Sequence, residues 1–406
     1  MTQDTVVIGA GLAGLTAALR LADEGRRVLV VAKGVGSTHL APPTIDVLGV
    51  DGESPAESLP KLPPKHPYAR LSVERVAESI EWLKARLPTF GYQGALDANF
   101  LLPTAVGAVK PSAVVPETMA GGDLRGGGRF LFVGLGLKDF YPAYLAENLG
   151  HMADVSARAT ELAPPLGRDD DLGSVGLARR FEQPDFRDTV VRGLKGLMES
   201  EERVGFPAVL GMEHAGEVWR ELEERLERPV FEVPTLPPSV PGIRLYEAMT
   251  DALRQAGGRM LIGQTVVGAE TSNGRVEGVV VEAAARPTTQ RARSFVLASG
   301  GFAAGGLQLD SYGEIHEAVF DLGVVGLPDG PRFLPEYMAE QPLDRVGIAV
   351  DDRLRPTDGD GRPTYENLHA AGATLAGAVP WQEASGNGLS LATGYAAAGA
   401  ILEAEQ

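Results

Sequence analysis

The chain opens on a short apolar run, Thr5-Val-Val-Ile8. It breaks at Gly9-Ala-Gly11-Leu-Ala-Gly14 and becomes apolar again at Val28-Leu-Val-Val31. Between the runs, Leu12, Leu15, Leu19 and Ala22 recur at helical spacing, and Gly25 ends the pattern. The order predicted is strand, glycine turn, helix, strand. Val73, Val76, Ile80 and Leu83 then put one apolar face on a helix over 72–87, and residues 129–137 alternate as a strand does. Helices are predicted over 142–149, 185–198 and 214–226. Residues 34–67 and 163–176, rich in turn formers, read as a long loop and a linker. Pro234-Thr-Leu-Pro-Pro-Ser-Val-Pro-Gly242 reads as a stiff extended connector. Beyond it come a helix over 245–255 and a strand over 259–262. A hairpin of 266–271 and 276–282 follows, about Asn273-Gly274, then an apolar strand over 294–298 and a small-residue helix over 391–402.

This order predicts an α/β protein with a Rossmann-like FAD/NAD(P)-binding fold that is discontinuous. Residues 1–60 and 241–406 would form the flavin-binding domain, and residues 61–240 an inserted α+β capping domain. The glycine turn carries the chemistry. Gly9 permits the tight turn, Gly11 lets the backbone approach a phosphate, and Gly14 lets the helix lie close to the strand. The helix N-terminus, with its unpaired N–H groups, then faces an anion. A dinucleotide site ordinarily adds Asp or Glu about 20 residues later to hold the ribose hydroxyls. Here that position is Ala32, followed by Lys33 and Gly34, and no carboxylate occurs before Asp46. Two cofactors stay open on this reading. One is FMN, which has one phosphate and no adenosine; the other is FAD with its ribose held by backbone or water.

Composition narrows the rest. The 406 residues are 44% apolar and include 51 Gly and 29 Pro, enough for a substantial core with many turns. A formal charge of −17 argues against nucleic acid and against direct docking on an anionic membrane. With no cysteine, the chain has no disulfide, no thiolate metal site and no cysteine-ligated iron–sulfur cluster of its own. The six histidines form no HxxxH or HxH pair, so no metal site is expected. There is no signal-peptide pattern and no apolar stretch of about 18 residues, so a soluble cytoplasmic protein without membrane insertion is expected.

Several segments resemble a known superfamily, that of the succinate dehydrogenase and fumarate reductase flavin subunits. They are Val7-Ile-Gly-Ala-Gly-Leu-Ala-Gly14, Gly278-Val-Val-Val281 with Phe295-Val-Leu-Ala-Ser-Gly-Gly301, and Asn367-Leu-His-Ala-Ala-Gly372 with Gly386-Asn-Gly-Leu-Ser-Leu-Ala-Thr-Gly394. The middle of the chain is similar to a narrower family, the B subunits of anaerobic glycerol-3-phosphate dehydrogenase. The carriers are Ser37-Thr-His-Leu40, Thr44-Ile-Asp-Val-Leu48, Gly205-Phe-Pro-Ala-Val-Leu-Gly211, Phe231 to Leu245, and Gly305-Gly-Leu307.

The resemblance implies a flavin-containing subunit of a membrane-associated complex that oxidises sn-glycerol 3-phosphate to dihydroxyacetone phosphate. The implied partners are a flavin-bearing, catalytic A-type subunit and an iron–sulfur C-type subunit that links to the membrane. The chain would be cytoplasmic, peripheral to the membrane through them. Such B subunits are FMN proteins, which favours FMN over FAD, in agreement with Ala32. The implied cofactor residues are Gly9, Ala10, Gly11, Leu12, Ala13 and Gly14, with Lys33, Gly34, Ser37 and Thr38 in the following loop. Ala298, Ser299, Gly300, Gly301 and Gly372 belong to the later turns, and Gly386, Asn387, Gly388, Leu389 and Ser390 precede the last helix. That helix start can stabilise negative charge at the flavin N1–C2=O2 edge on reduction. Catalytic residues are less defined: His39, His214 and Arg244 are candidates because they flank the recognised segments, and a structural role is the alternative for each. The other functional reading is a stand-alone flavin-dependent dehydrogenase or reductase of the fumarate reductase-like type.

Overall fold

A computed structural model describes residues 3–49, 53–162, 173–282 and 286–405, so most of the expected linker over 163–176 lies outside the described residues. The chain forms two compact units. One comprises Met1–Ser37, Asp46–Arg86 and Glu247–Gln406, and the other Thr38–Ile45 and Leu87–Tyr246. Residues 61–86, expected in the insert, therefore group with the terminal segments.

In the first unit the strands Arg259–Ile262, Val28–Ala32, Gln3–Ile8 and Thr288–Leu297 lie side by side. The hairpin strands Arg275–Val281 and Val266–Ser272 extend that sheet, and Leu368–Ala370 also pairs with Thr288–Leu297. The central pairings are parallel, with Ile8 opposite Val31 and Leu297, and Leu297 opposite Ala370. Val6, Val7, Val30, Val31, Phe295 and Val296 are wholly buried, which is why these strands read as continuous apolar runs rather than alternating ones. The helices Leu12–Asp23 and Gly386–Ala404 pack together through small residues. A Cβ at Gly394 would stand 2.3 Å from the Ala13 carbonyl oxygen, so only glycine permits this approach.

The first strand is pinned by one ion pair. Asp4 accepts from the Arg27 backbone N–H at 3.0 Å and from its guanidinium at 2.9 and 3.1 Å. Hydrogen bonding from the Arg27 side chain lowers the Asp4 carboxyl to about 2, against a smaller opposing effect of burial. A depressed carboxyl contributes stability above its unfolded pKa and loses it as pH falls through its folded value. Asp4→Asn should therefore destabilise the protein at neutral pH. The difference from wild type should shrink as pH falls below the ordinary carboxylate range toward about 2, as read by urea midpoints across pH.

The second unit contains two short antiparallel pairs, Gln93–Gly94 with Val114–Val115 and Phe100–Pro103 with Val109–Ser112. Its main sheet is wholly parallel, in the order Val230–Val233, Glu202–Pro207, Gly128–Gly134, Val155–Glu161. Along Gly128–Gly134 the side chains alternate between two cores. Leu131 and Val133 pack with residues of the helices Ser174–Phe181, Pro184–Lys195 and Ala215–Leu226. Phe130 and Phe132 pack with Phe231 and with the helix Pro142–Leu149. Period-two alternation thus covers both faces with helices.

Two helices begin earlier than their sequence suggests. The helix Val240–Gln255 starts inside the expected extended connector. Ser239 caps it, its Oγ accepting from the Gly242 N–H at 3.1 Å, and Pro241 is tolerated in a first turn that needs no donor there. The last helix starts at Gly386 rather than at 391, running through glycines that read as a loop.

Candidate cofactor site

Four parallel strands of the first unit end at Ile8, Ala32, Leu297 and Ala370. Each end leads into residues singled out from the sequence: Gly9, Lys33 and Gly34, Ala298, and Gly372. In open α/β sheets ligands bind outside these carboxyl ends.

The three turn glycines have different reasons to be glycine. Gly9 has φ +109°, and a Cβ there would lie 2.1 Å from the Ala298 carbonyl oxygen. The Ala298 N–H donates to the Ile8 carbonyl at 2.8 Å, which holds the two strand ends together. At Gly14 a Cβ would lie 2.1 Å from the Gly9 carbonyl oxygen. Gly11 is the opposite case: its φ is −76°, and a Cβ would meet no described atom within 4 Å. Nothing in the packing requires glycine at 11, and the open space lies at a helix start that carries no side-chain cap. This is the cradle that a phosphate group fits, with orphan N–H groups of the first turn as donors.

The loop after the second strand adds a residue that the sequence analysis missed. Gly36 has φ +71°, and a Cβ on it would stand 2.8 Å from the Gly11 Cα. The loop therefore lies directly against the glycine turn. Gly34, chosen from sequence, has open space around it. The signal was the repeated glycine in Gly34-Val-Gly36, of which packing requires the second. Lys33, Gly34 and Ser37 are exposed. Thr38 belongs to the second unit and is buried there, its carbonyl 2.1 Å from where a Cβ on Gly242 would lie.

The ribose position is also informative. The Ala32 carbonyl accepts from Gly263 N–H at 2.9 Å and Gln264 N–H at 3.2 Å. A carbonyl oxygen has two lone pairs, so this backbone acceptor is filled. Neither the side chain nor the carbonyl of Ala32 is left to accept from a ribose hydroxyl.

The later turns close on the same cluster. Gly372 has φ +79°, and its Cβ would lie 2.9 Å from the Ala13 Cβ and 3.9 Å from the Ser390 Oγ. Its N–H donates to Thr393 Oγ1 at 2.9 Å. Gly300 has φ +79°, and a Cβ on Gly301 would lie 2.9 Å from the Ala373 carbonyl oxygen. The Ser299 Oγ is buried without a hydrogen-bond partner among the described residues. Gly9, Ala13, Gly14, Ala298, Gly372 and Ser390 thus lie in one cluster.

The start of the last helix differs from expectation in part. Gly388 donates its N–H to the Asp46 carbonyl at 3.0 Å, and Leu389 donates to Ser385 at 2.8 Å, so neither is an orphan donor of the first turn. A Cβ on Gly388 would lie 2.5 Å from the Asp46 oxygen and 2.8 Å from the Tyr68 hydroxyl, which makes it a packing glycine. The helix start is braced by Glu383, which accepts from Ser385 Oγ at 3.1 Å and from Val379 N–H at 2.9 Å. His66 Nδ1 accepts from the Tyr68 N–H at 3.1 Å, which assigns the ring proton to Nε2, 3.2 Å from Glu383. Burial raises the Glu383 carboxyl, but the hydrogen bonds of His66 and Val379 outweigh it and hold the group below its usual range.

The catalytic candidates lie in the second unit. Arg244 is bound to Glu232 through Nη1 at 2.8 Å and Nη2 at 3.0 Å, and its Nε donates to the Gly211 carbonyl at 2.8 Å. Glu232 also accepts from Thr118 Oγ1 at 2.9 Å and from the Leu210 N–H at 3.0 Å. This buried network gives Arg244 a structural place. His39 stacks edge-on against Tyr246, ring centroids 4.9 Å apart, and its carbonyl accepts from the Ser239 N–H at 2.8 Å. His214 is exposed ahead of the helix Ala215–Leu226. Among the described residues no group of three or more His, Asp or Glu is placed to hold a metal ion. No described helix is long and apolar enough to cross a membrane.

A family model described as "FAD binding domain" matches residues 4–389. With the parallel sheet and the glycine cradle, this defines a flavoprotein of the oxidoreductase class. The probable B subunit of anaerobic glycerol-3-phosphate dehydrogenase from Halobacterium salinarum is 35% identical over 427 residues, covering 99% of this chain and 98% of its own. The B subunit of anaerobic glycerol-3-phosphate dehydrogenase from Pectobacterium carotovorum is 32% identical over 428 residues, covering 99% of each chain. Among solved structures, 3-ketosteroid delta1-dehydrogenase from Sterolibacterium denitrificans aligns at a TM-score of 0.48 and 13% identity, over 99% of this chain and 100% of that one. The chain belongs to the family of anaerobic glycerol-3-phosphate dehydrogenase B subunits, within the FAD-binding-domain flavoproteins.

Proposed function

We propose that this chain is the flavin-containing B subunit of a membrane-associated complex that oxidises sn-glycerol 3-phosphate to dihydroxyacetone phosphate. In that complex it passes electrons and supports assembly, and the main substrate site lies on a partner. The partners are a flavin-bearing A-type subunit and an iron–sulfur C-type subunit, which hold the chain at the inner face of the cell membrane. The relatives' names support the complex. The structural place of Arg244 and the exposure of His214 support a substrate site elsewhere, since neither forms a base–arginine pair of the kind a phosphorylated alcohol needs.

The cofactor of this reading is FMN. The observation that carries it is Ala32, whose side chain offers no acceptor and whose carbonyl is filled by Gly263 and Gln264. Gly9, Ala10, Gly11, Leu12, Ala13 and Gly14 would hold the phosphate. Lys33, Gly34, Gly36 and Ser37 would border it. Ala298 to Gly301, Gly372, Gly386, Asn387 and Ser390 would face the rest of the group. A bound flavin supplies exchange between hydride transfer and single-electron transfer. The chain's own residues supply the phosphate donors, the glycine turns that admit the ring, and the positive helix end.

Heat release of the chromophore from purified protein, followed by mass spectrometry, should show FMN. Release of FAD would overturn the cofactor assignment. A folded, colourless protein that takes up neither flavin would overturn the whole reading.

A further inference from the structure

We propose that one apolar face of the first unit, built around Tyr312, Phe333, Tyr337, Met338 and Trp381, docks an electron-exchanging partner protein whose own face is apolar with a basic rim. The proposal rests on the function proposed above and adds where that partner sits.

Residues 307–348 have little regular structure. They hold the hairpin Leu307–Leu309 with Ile315–Glu317 and the short pair Val324–Val325 with Gly347–Ile348. The four most exposed large apolar side chains among the described residues all lie here: Tyr312 and Tyr337 at 90%, Met338 at 73% and Phe333 at 64%. Single exposed apolar residues are ordinary, whereas a group of them on one segment marks an interaction surface.

The backbone that presents them is braced. Gln341 Oε1 accepts from the Leu334 N–H at 2.8 Å, and its Nε2 donates to the Glu336 carbonyl at 2.9 Å, which closes the loop carrying Tyr337 and Met338. Asp344 Oδ2 accepts from the Gln341 N–H at 2.9 Å and from Trp381 Nε1 at 3.2 Å, so the exposed indole is tied to the same loop. On the other side, a Cβ on Gly313 would stand 3.4 Å from the Arg332 guanidinium carbon. The hairpin tip with Tyr312 therefore lies against the residue before Phe333. These aromatics make one patch.

The patch borders the cofactor cluster twice. The hairpin leaves from Gly306, where a Cβ would stand 2.1 Å from the Gly300 carbonyl oxygen and 2.6 Å from Ser299 Oγ. Tyr312 lies at most about 20 Å from Gly306, the reach of a fully extended segment of that length. Trp381 belongs to the short helix Pro380–Glu383, and Glu383 braces the start of the last helix. A protein seated here stands against the cofactor turns, as electron exchange requires.

Charge selects the occupant. The exposed charged side chains of residues 310–345 are Glu314, Asp321, Asp329 and Glu336, all acidic. Lysines and arginines around an apolar centre complement such a rim, and aromatic residues and methionine are the types that protein interfaces concentrate. A second copy of this chain would set like charges opposite one another. An anionic lipid surface would be repelled by the same carboxylates.

The test is biolayer interferometry of the purified full chain against the proposed A-type and C-type subunits. Tyr337→Ser combined with Met338→Ser should weaken association by about thirtyfold or more, with flavin content and melting temperature unchanged. Tyr141→Ser, at an exposed site of the second unit, should leave it unchanged. Asp329→Lys combined with Glu336→Lys should slow association and reduce its sensitivity to salt. Wild-type affinity in the Tyr337/Met338 double variant overturns the proposal and leaves the functional reading standing. Failure of the wild-type chain to bind either subunit overturns that reading and this proposal with it. Two further outcomes overturn the proposal alone: a wild-type dimer in sedimentation velocity that the double variant loses, or wild-type binding to phosphatidylserine vesicles that the double variant loses.

Discussion

Gly11→Val should give a folded protein that has lost its flavin. At this position the backbone already has a φ of −76°, which any residue adopts, and a Cβ would meet no described atom. The fold therefore tolerates the side chain. The proposed ligand does not, because valine would fill the space over the helix start that the proposed site assigns to its phosphate. Removing a partner from a buried charged group costs about 2–5 kcal/mol, so affinity should fall by about thirtyfold to several thousandfold. Gly14→Val is the contrast. Its Cβ would lie 2.1 Å from the Gly9 carbonyl oxygen, so the strand and helix must part, and stability should fall along with flavin. Flavin absorbance per protein and the melting temperature separate the cases. Equal losses of stability in both variants would show that the Gly11 cradle is a packing feature.

Glu232→Ala should strongly destabilise the second unit. The carboxylate is wholly buried and binds Arg244, Thr118 and the Leu210 N–H together. Its removal leaves the guanidinium buried and unpaired, along with two further orphaned donors. Breaking a buried pair in this way costs about 3–5 kcal/mol, a large share of the roughly 5–15 kcal/mol that holds a domain together. The strand Val230–Val233 lies at the edge of the parallel sheet, so the damage should reach the core formed by Phe231 and Val230. A urea titration followed by far-UV circular dichroism should show an early transition for this variant, and a smaller shift for Glu232→Gln. A midpoint unchanged from wild type would mean that the network contributes little to the fold.

The parts of the fold that were legible in the sequence are those specified by neighbours along the chain. The first strand, turn and helix are written in consecutive residues, and so is the hairpin at Asn273-Gly274, where Asn273 takes φ +49° and Gly274 φ +72°. The parallel sheet of the second unit was mostly missed. Glu232 breaks the apolar run of Val230-Phe-Glu-Val233, and only its distant partners Arg244, Thr118 and the Leu210 N–H explain why a carboxylate can lie inside. The starts of the helices at Val240 and Gly386 were placed late, because Pro241 and the glycines at 386 and 388 suggest loops when read locally. In the candidate site, Gly9 and Gly14 followed from the motif, while Gly36 depends on how a loop folds back on Gly11.

The central claim is that this chain carries a flavin and depends on partners for turnover. A reduced flavin here needs an external acceptor, because a chain without cysteine holds no cysteine-ligated cluster of its own. The direct measurement is steady-state oxidation of glycerol 3-phosphate with an artificial acceptor, normalised per flavin. It compares the purified chain with the complex reconstituted from the proposed A-type and C-type partners. The account predicts little or no turnover by the single chain and full turnover by the complex. Equal turnover per flavin in both would contradict it and make this chain a self-sufficient dehydrogenase.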